Sequence, residues 1–185
     1  MAKICMVFHD AKVEDVTRYP KVLGANPPMT MDGMENLLHL LPVIRRFGPY
    51  HVLYCSRMAR ASDAASVFAN FYDLDFHSME ELGQKANLDK ASGEVIYYPG
   101  CEQQDYVYWQ QSGVRAMRKI STAHLKQTNV LVTSHRPVIG GIVAHTKGIT
   151  TNDSLKGFIH DPELTKKGYV LVNVDPDDGL ITLLE

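Results

Sequence analysis

Ile4-Cys5-Met6-Val7-Phe8-His9 and Val130-Leu131-Val132-Thr133-Ser134-His135 share one pattern, a short apolar run that ends on a histidine. Runs this short, rich in Val and Ile and followed by polar or turn-forming residues, read as buried strands. A histidine at the C-terminal end of a strand in an open α/β sheet sits where such sheets carry their ligands. His9 and His135 are far apart in the chain, so two strand ends of one sheet can bring them to one site. Each can also be an incidental loop histidine, and the chain between them weighs against that.

Further strand candidates are Lys3 to Phe8, Tyr50 to Cys55, Val95 to Tyr98, Asn129 to Thr133, Tyr169 to Val174 and Leu180 to Leu184. Asp175-Pro176-Asp177-Asp178-Gly179 is a turn signal that makes the last two a hairpin or antiparallel neighbours. Helices fall between the strands. Thr30 can cap the first, whose Met34, Leu37, Leu38, Leu41 and Ile44 recur at the spacing of one buried helical face. Pro42 should kink that helix or mark an irregular turn, and Gly48-Pro49 should end it. A second helix is expected from near Ser56 to about Phe71. A third covers roughly Asp105 to Lys126, with Gly113 a weak point. A fourth follows His135, with Pro137 near its first turn. Gly148 to Lys167 is polar and turn-rich and reads as a surface excursion. The alternation of strand and helix implies an α/β fold with a largely parallel sheet.

At 185 residues the chain suits one domain, 1–185, with a full core. It is 45% hydrophobic and 22% charged, with a formal net charge of -2, and lacks the basic stripe of a nucleic-acid binder. Cys5, Cys55 and Cys101 are odd in number and scattered, which argues against a disulfide framework or a structural zinc site. Cys5 and Cys55 lie in apolar runs and read as buried thiols. Lys3 leads straight into a strand with no cleavage-site pattern, and no apolar stretch approaches a membrane span. The expected setting is the cytoplasm, with no membrane partner.

Four stretches, in order, resemble the histidine phosphatases, also called the phosphoglycerate mutase-like family. Phe8-His9-Asp10 sits where that family carries Arg-His-Gly after its first strand. Pro28-Met29-Thr30-Met31-Asp32-Gly33 resembles its Pro-Leu-Thr-x-x-Gly. Cys55-Ser56-Arg57-Met58-Ala59-Arg60-Ala61 resembles its Ser-Ser-Pro-Leu-x-Arg-Ala. Val132-Thr133-Ser134-His135-Arg136-Pro137-Val138-Ile139 resembles its Val-x-Ser-His-Gly-x-Val-Ile. The resemblance implies a three-layer α/β/α sandwich with a mostly parallel central sheet. It implies a phosphomonoesterase that needs no cofactor and no metal. His9 would attack phosphorus to give a phosphohistidine. Arg60 would bind the phosphoryl oxygens with its planar fork. His135 would donate to the same oxygens in the transition state. The proton donor for the leaving oxygen falls in Phe71-Tyr72-Asp73-Leu74-Asp75-Phe76-His77, where Asp73 takes the family's Glu position and Asp75 is its rival.

Two positions depart from the pattern. Phe8 replaces the arginine before the nucleophile and supplies no charge, while Asp10 replaces the glycine and adds negative charge. Loss of one well-aimed donor can cost about 10²-fold or more in rate. Arg57 stands where the family has Pro, three residues before Arg60, and could share a helical face with it. Lys12, Arg18 and Arg136 are other cations near these motifs. Two functions therefore stand open: a phosphomonoester hydrolase acting on a small phosphorylated metabolite or phosphoprotein, or a catalytically impaired relative that binds a phosphorylated ligand or a protein partner. A homo-oligomer is left open as well. Tyr106, Tyr108 and Trp109 could line a substrate pocket, although their spacing more often serves helix packing.

Overall fold

The structure is a computed structural model that describes residues 2–8, 29–83, 87–88, 95–96, 106–124 and 128–184. Strand β1 (Ala2–Phe8) divides its side chains between two apolar cores, with Ile4, Met6 and Phe8 on one face and Cys5 and Val7 on the other. Burial on both faces is what a parallel sheet covered by helices requires. β1 pairs in parallel with β6 (Asn129–Ser134) and antiparallel with β7 (Tyr169–Val174). β2 (Val52–Ser56) runs parallel to β6 on its other side and to β3 (Phe76–Met79) beyond. β8 (Ile181–Leu183) closes the far edge antiparallel to β7, as the turn signal implied. The order is β3-β2-β6-β1-β7-β8. Its first four strands point one way, so their C-terminal ends share one edge.

Helices α1 (Met31–Arg45) and α2 (Ala59–Tyr72) cover the face that carries Cys5, Val7, Leu53 and Leu131. Helices α3 (Tyr106–Ala123) and α4 (Arg136–Thr146) cover the other, giving the expected three layers. Thr30 caps α1, its Oγ1 accepting the Gly33 N–H at 3.0 Å. Pro42 does not end this helix, because burial of Leu37, Leu41 and Ile44 carries it on to Arg45. Cys5 and Cys55 are buried thiols, while Cys101 lies outside the described residues.

Three sequence expectations need correction. First, the strand candidate at Val95 lies outside the main sheet, and β3, to which the sequence reading assigned no strand, lies in it. The described part of that stretch, β5 (Val95–Ile96), pairs with β4 (Asn87–Leu88) in a separate two-stranded ribbon, and residues 97–98 lie outside the described residues. Phe76, His77 and Ser78 are exposed on an edge strand, so β3 lacks the apolar signal of its neighbours. Secondly, Gly148 to Lys167 is not a plain excursion. It holds α5 (Asn152–His160) and α6 (Pro162–Thr165), with Leu155 and Ile159 fully buried against Tyr106, Trp109 and Ala144. Tyr106 and Trp109 thus serve packing rather than a pocket. Thirdly, Gly113 is a close-contact position and not a weak point. A Cβ there would lie 2.7 Å from Ile142 Cγ1, and one on Gly141 of the facing helix 2.7 Å from Gln110 Cα. The two glycines let α3 and α4 meet nearly backbone to backbone.

Candidate active site

β6 ends at Ser134, which lies opposite Phe8 in the parallel register with β1. The next residue, His135, is the N-cap of α4 and is 1% exposed. Its Nε2 lies 2.8 Å from the hydroxyl of Ser56, the last residue of β2. Ser56 leads through Arg57 to Met58, the N-cap of α2, and Arg60 stands half-buried in the first turn of that helix. Sequence-distant His135 and Arg60 thus follow the ends of neighbouring strands. Neither α2 nor α4 has a side-chain cap or an acidic residue in its first turn. The positive dipole ends of both helices favour an anion at this edge.

His9 follows Phe8 directly in the chain but lies outside the described residues, as do Asp10, Lys12 and Arg18. Phe8 packs at 7% exposure in the core with Ile4 and Met6, so its ring stabilises the sheet. Arg57 is exposed and precedes the α2 N-cap. The i, i+3 argument for its sharing a face with Arg60 therefore does not hold, since that rule needs both residues on the helix. Arg136 turns away from the edge: its Nε and Nη2 donate to the Ile159 and Asp161 carbonyls, each at 2.7 Å, and pin the junction of α5 and α6.

Asp73 and Asp75 are displaced from this edge, which corrects the expected proton donor. Asp73 is the C-cap of α2, exposed, with left-handed φ 54 and ψ 56. The helix has 14 residues and starts beside Arg60, so Asp73 stands about 20 Å further along its axis. Asp75 precedes β3 and so belongs to the N-terminal ends of the parallel strands. The carboxylates at the correct end are Glu80 and Glu81, in the 3-10 turn Glu80–Leu82 that follows β3. Sequence reasoning missed them because it assigned no strand to residues 76–79. Met79-Glu80-Glu81-Leu82-Gly83, an acidic pair just before a glycine, was the available signal.

That turn is tied to the candidate site. Ser134 Oγ donates to the Leu82 carbonyl at 2.6 Å, and Ser112 Oγ of α3 donates to the Glu81 carbonyl at 3.0 Å. The Glu81 carboxylate pairs with Lys119, whose hydrogen bond holds it below the usual carboxylate range. A general acid must carry its proton at the working pH. Glu81 is therefore suited to stay ionised, and Glu80 of the same turn is exposed. Among the described residues, no three His, Cys, Asp or Glu side chains are grouped to hold a metal. No helix among them is long and apolar enough to cross a membrane.

No protein-family model and no curated protein matches this chain. Solved structures do. A phosphoserine phosphatase variant from Entamoeba histolytica, in complex with phosphoserine, is similar at 13% identity and TM-score 0.70, covering 100% of this chain and 96% of its own. Bacillus stearothermophilus YhfR is similar at 18% identity and TM-score 0.71, with 99% and 95% covered. The alpha-ribazole phosphatase of Shigella flexneri is similar at 20% identity and TM-score 0.63, with 98% and 94% covered. The fold is that of the phosphoglycerate mutase-like histidine phosphatases. In this histidine phosphatase fold, the edge that carries His135, Arg60 and the end of β1 is the one where open α/β sheets hold ligands.

Proposed function

We propose that this chain is a phosphomonoester hydrolase working through a phosphohistidine on His9, without cofactor or metal. The observation that carries this reading is that buried His135 and half-buried Arg60 follow the ends of neighbouring strands, at the edge where β1 ends in Phe8. In the proposed reaction, a ring nitrogen of His9 attacks phosphorus and the ester P–O bond breaks. The leaving oxygen takes a proton from a carboxyl of the Glu80–Glu81 turn. Water then attacks the phosphohistidine, giving up a proton to that carboxylate, and the N–P bond breaks to release phosphate and restore the imidazole and the carboxyl. Arg60 and His135 donate to the phosphoryl oxygens as negative charge builds on them. The substrate is a small phosphorylated metabolite or a phosphoprotein. The protein works in the cytoplasm, with neither nucleic acid nor membrane as partner.

Phe8 favours a second reading, a catalytically impaired relative that binds a phosphorylated ligand or a protein partner. The position before the proposed nucleophile is spent on the apolar core and brings no cation. Turnover of an aryl phosphate, together with trapping of a labelled phosphoenzyme, separates the two. The hydrolase gives both signals, and His9→Ala abolishes them while the fold survives. Absence of both in the wild type, with phosphate or vanadate still bound, establishes the impaired relative.

A further inference from the structure

The exposed face of α3 carries a cationic cleft that the proposed chemistry does not use. Gln111, Val114, Arg115 and Arg118 recur at i, i+3, i+4 and i+7, so they share one side of the helix. Together with Gln110, and with His145 from the last turn of α4, they line a cleft of about 290 Å³. His145 stands about 15 Å along α4 from His135, so the cleft is separate from the candidate active site.

The charges in the cleft are of one sign. No residue that lines it is acidic. Among the described residues, no carboxylate lies within ion-pair reach of the exposed Arg115 or Arg118. Glu81 is near enough to feel the charge of Arg115, but Lys119 engages its carboxylate. Arg118 lies across Gly179 of the β7–β8 turn, since a Cβ there would come 2.8 Å from its Nε. The acids of that turn, Asp175 and Asp178, accept from the Asp177 and Leu180 N–H groups. Burial, followed by repulsion from Arg118, holds the His145 ring below the ordinary histidine range. An anion in the cleft would offset that repulsion and favour the protonated ring.

We propose that this cleft is a second ligand site, for a small organic polyanion whose carboxylate or phosphoryl groups bridge Arg115 and Arg118. Each guanidinium presents a planar fork that matches an oxyanion. Positions three apart on a helix are neighbours, about 5–6 Å apart at Cβ, so one ligand with two anionic groups reaches both. Buried Val114 gives the cleft an apolar floor, and the exposed amide of Gln111 adds a donor at its rim. The cleft stands at the small end of ligand pockets, which suits a compact ligand. The site does not depend on the hydrolase reading.

Histidine ring NMR at low ionic strength, with citrate, pyrophosphate and acetate as probes, tests it. Citrate or pyrophosphate should bind at sub-millimolar concentration and raise the pKa of His145, and the tighter of the two identifies the anionic group. Acetate, with one charge, should leave His145 unmoved at the same concentration. Arg118→Gln keeps part of the stem against Gly179 and should weaken that binding by about 10-fold or more. Arg60→Ala should leave the His145 response intact. The proposal is overturned if neither polyanion shifts His145, if acetate shifts it equally, or if Arg118→Gln binds as the wild type does. Loss of the response in Arg60→Ala also overturns it, by placing the anion at the other edge. None of these measurements needs turnover, so an inactive wild type would sink the hydrolase reading alone.

Discussion

The two arginines after β2 separate what a residue type offers from what its position allows. Arg60 is half-buried in the first turn of α2, whereas Arg57 is exposed before the cap, where water screens its charge. Arg60→Ala should weaken phosphate or vanadate binding by about 1.5–3 kcal/mol, roughly 10- to 100-fold in Kd. Arg57→Ala should cost less than that, and titration calorimetry orders the pair. An equal or larger loss at Arg57 would restore it as the stand-in for the charge missing at Phe8. The carboxylates are sorted the same way. Glu80→Gln should slow hydrolysis of alkyl phosphates far more than of aryl phosphates, whose leaving groups need no proton. Asp73→Asn, at the other end of α2, should leave both rates unchanged.

At the scale of elements, α3 packs closely against α4, the helix that His135 begins. Gly141 faces the Gln110 backbone, with a built Cβ 2.7 Å from Cα and 3.0 Å from N, so neither side can yield cheaply. Gly141→Ala should therefore destabilise by about 1–3 kcal/mol despite alanine's better helix propensity. Melting should fall by about 2–4 °C for each kcal/mol lost. Gly157 of α5 has open space around its Cβ position. Gly157→Ala should raise stability by about 0.5–1 kcal/mol, which makes it the control for propensity alone. If both substitutions stabilise, the two helices do not meet as closely as described. The same scale explains β3. A strand whose residues are mostly exposed at a sheet edge carries little apolar pattern, and its omission left the Glu80–Glu81 turn unplaced in the sequence reading.

For the whole molecule, pH couples to stability through groups that folding shifts. Burial, followed by repulsion from His77, pushes the His124 ring below its ordinary range, and its Nε2 lies 2.9 Å from the Tyr54 hydroxyl. The fold thus favours neutral His124 and binds fewer protons there than the unfolded chain. That contribution is present above the ordinary histidine range and is lost as pH falls through the lowered folded value. Glu81, held down by Lys119, behaves alike at lower pH, losing its contribution below the ordinary carboxylate range. The melting temperature should therefore fall as pH drops from about 7.5 to 5.5, and fall less steeply in His124→Gln. An identical slope in that variant would assign the effect to other groups. Much of this protein was legible in the chain. Two apolar runs ending on histidine, a capped helix with one apolar face and a Pro-Asp-Asp-Gly turn are local patterns, and local spacing decides them through side-chain periodicity and backbone sterics. Strand order and direction are not local. Only the pairing of β1, β2 and β3 around β6 decided that Arg60 and His135 share an edge. It also set Asp73 a helix length away and moved Glu80 and Glu81 to that edge, because parallel neighbours bring together residues by strand end and not by distance along the chain.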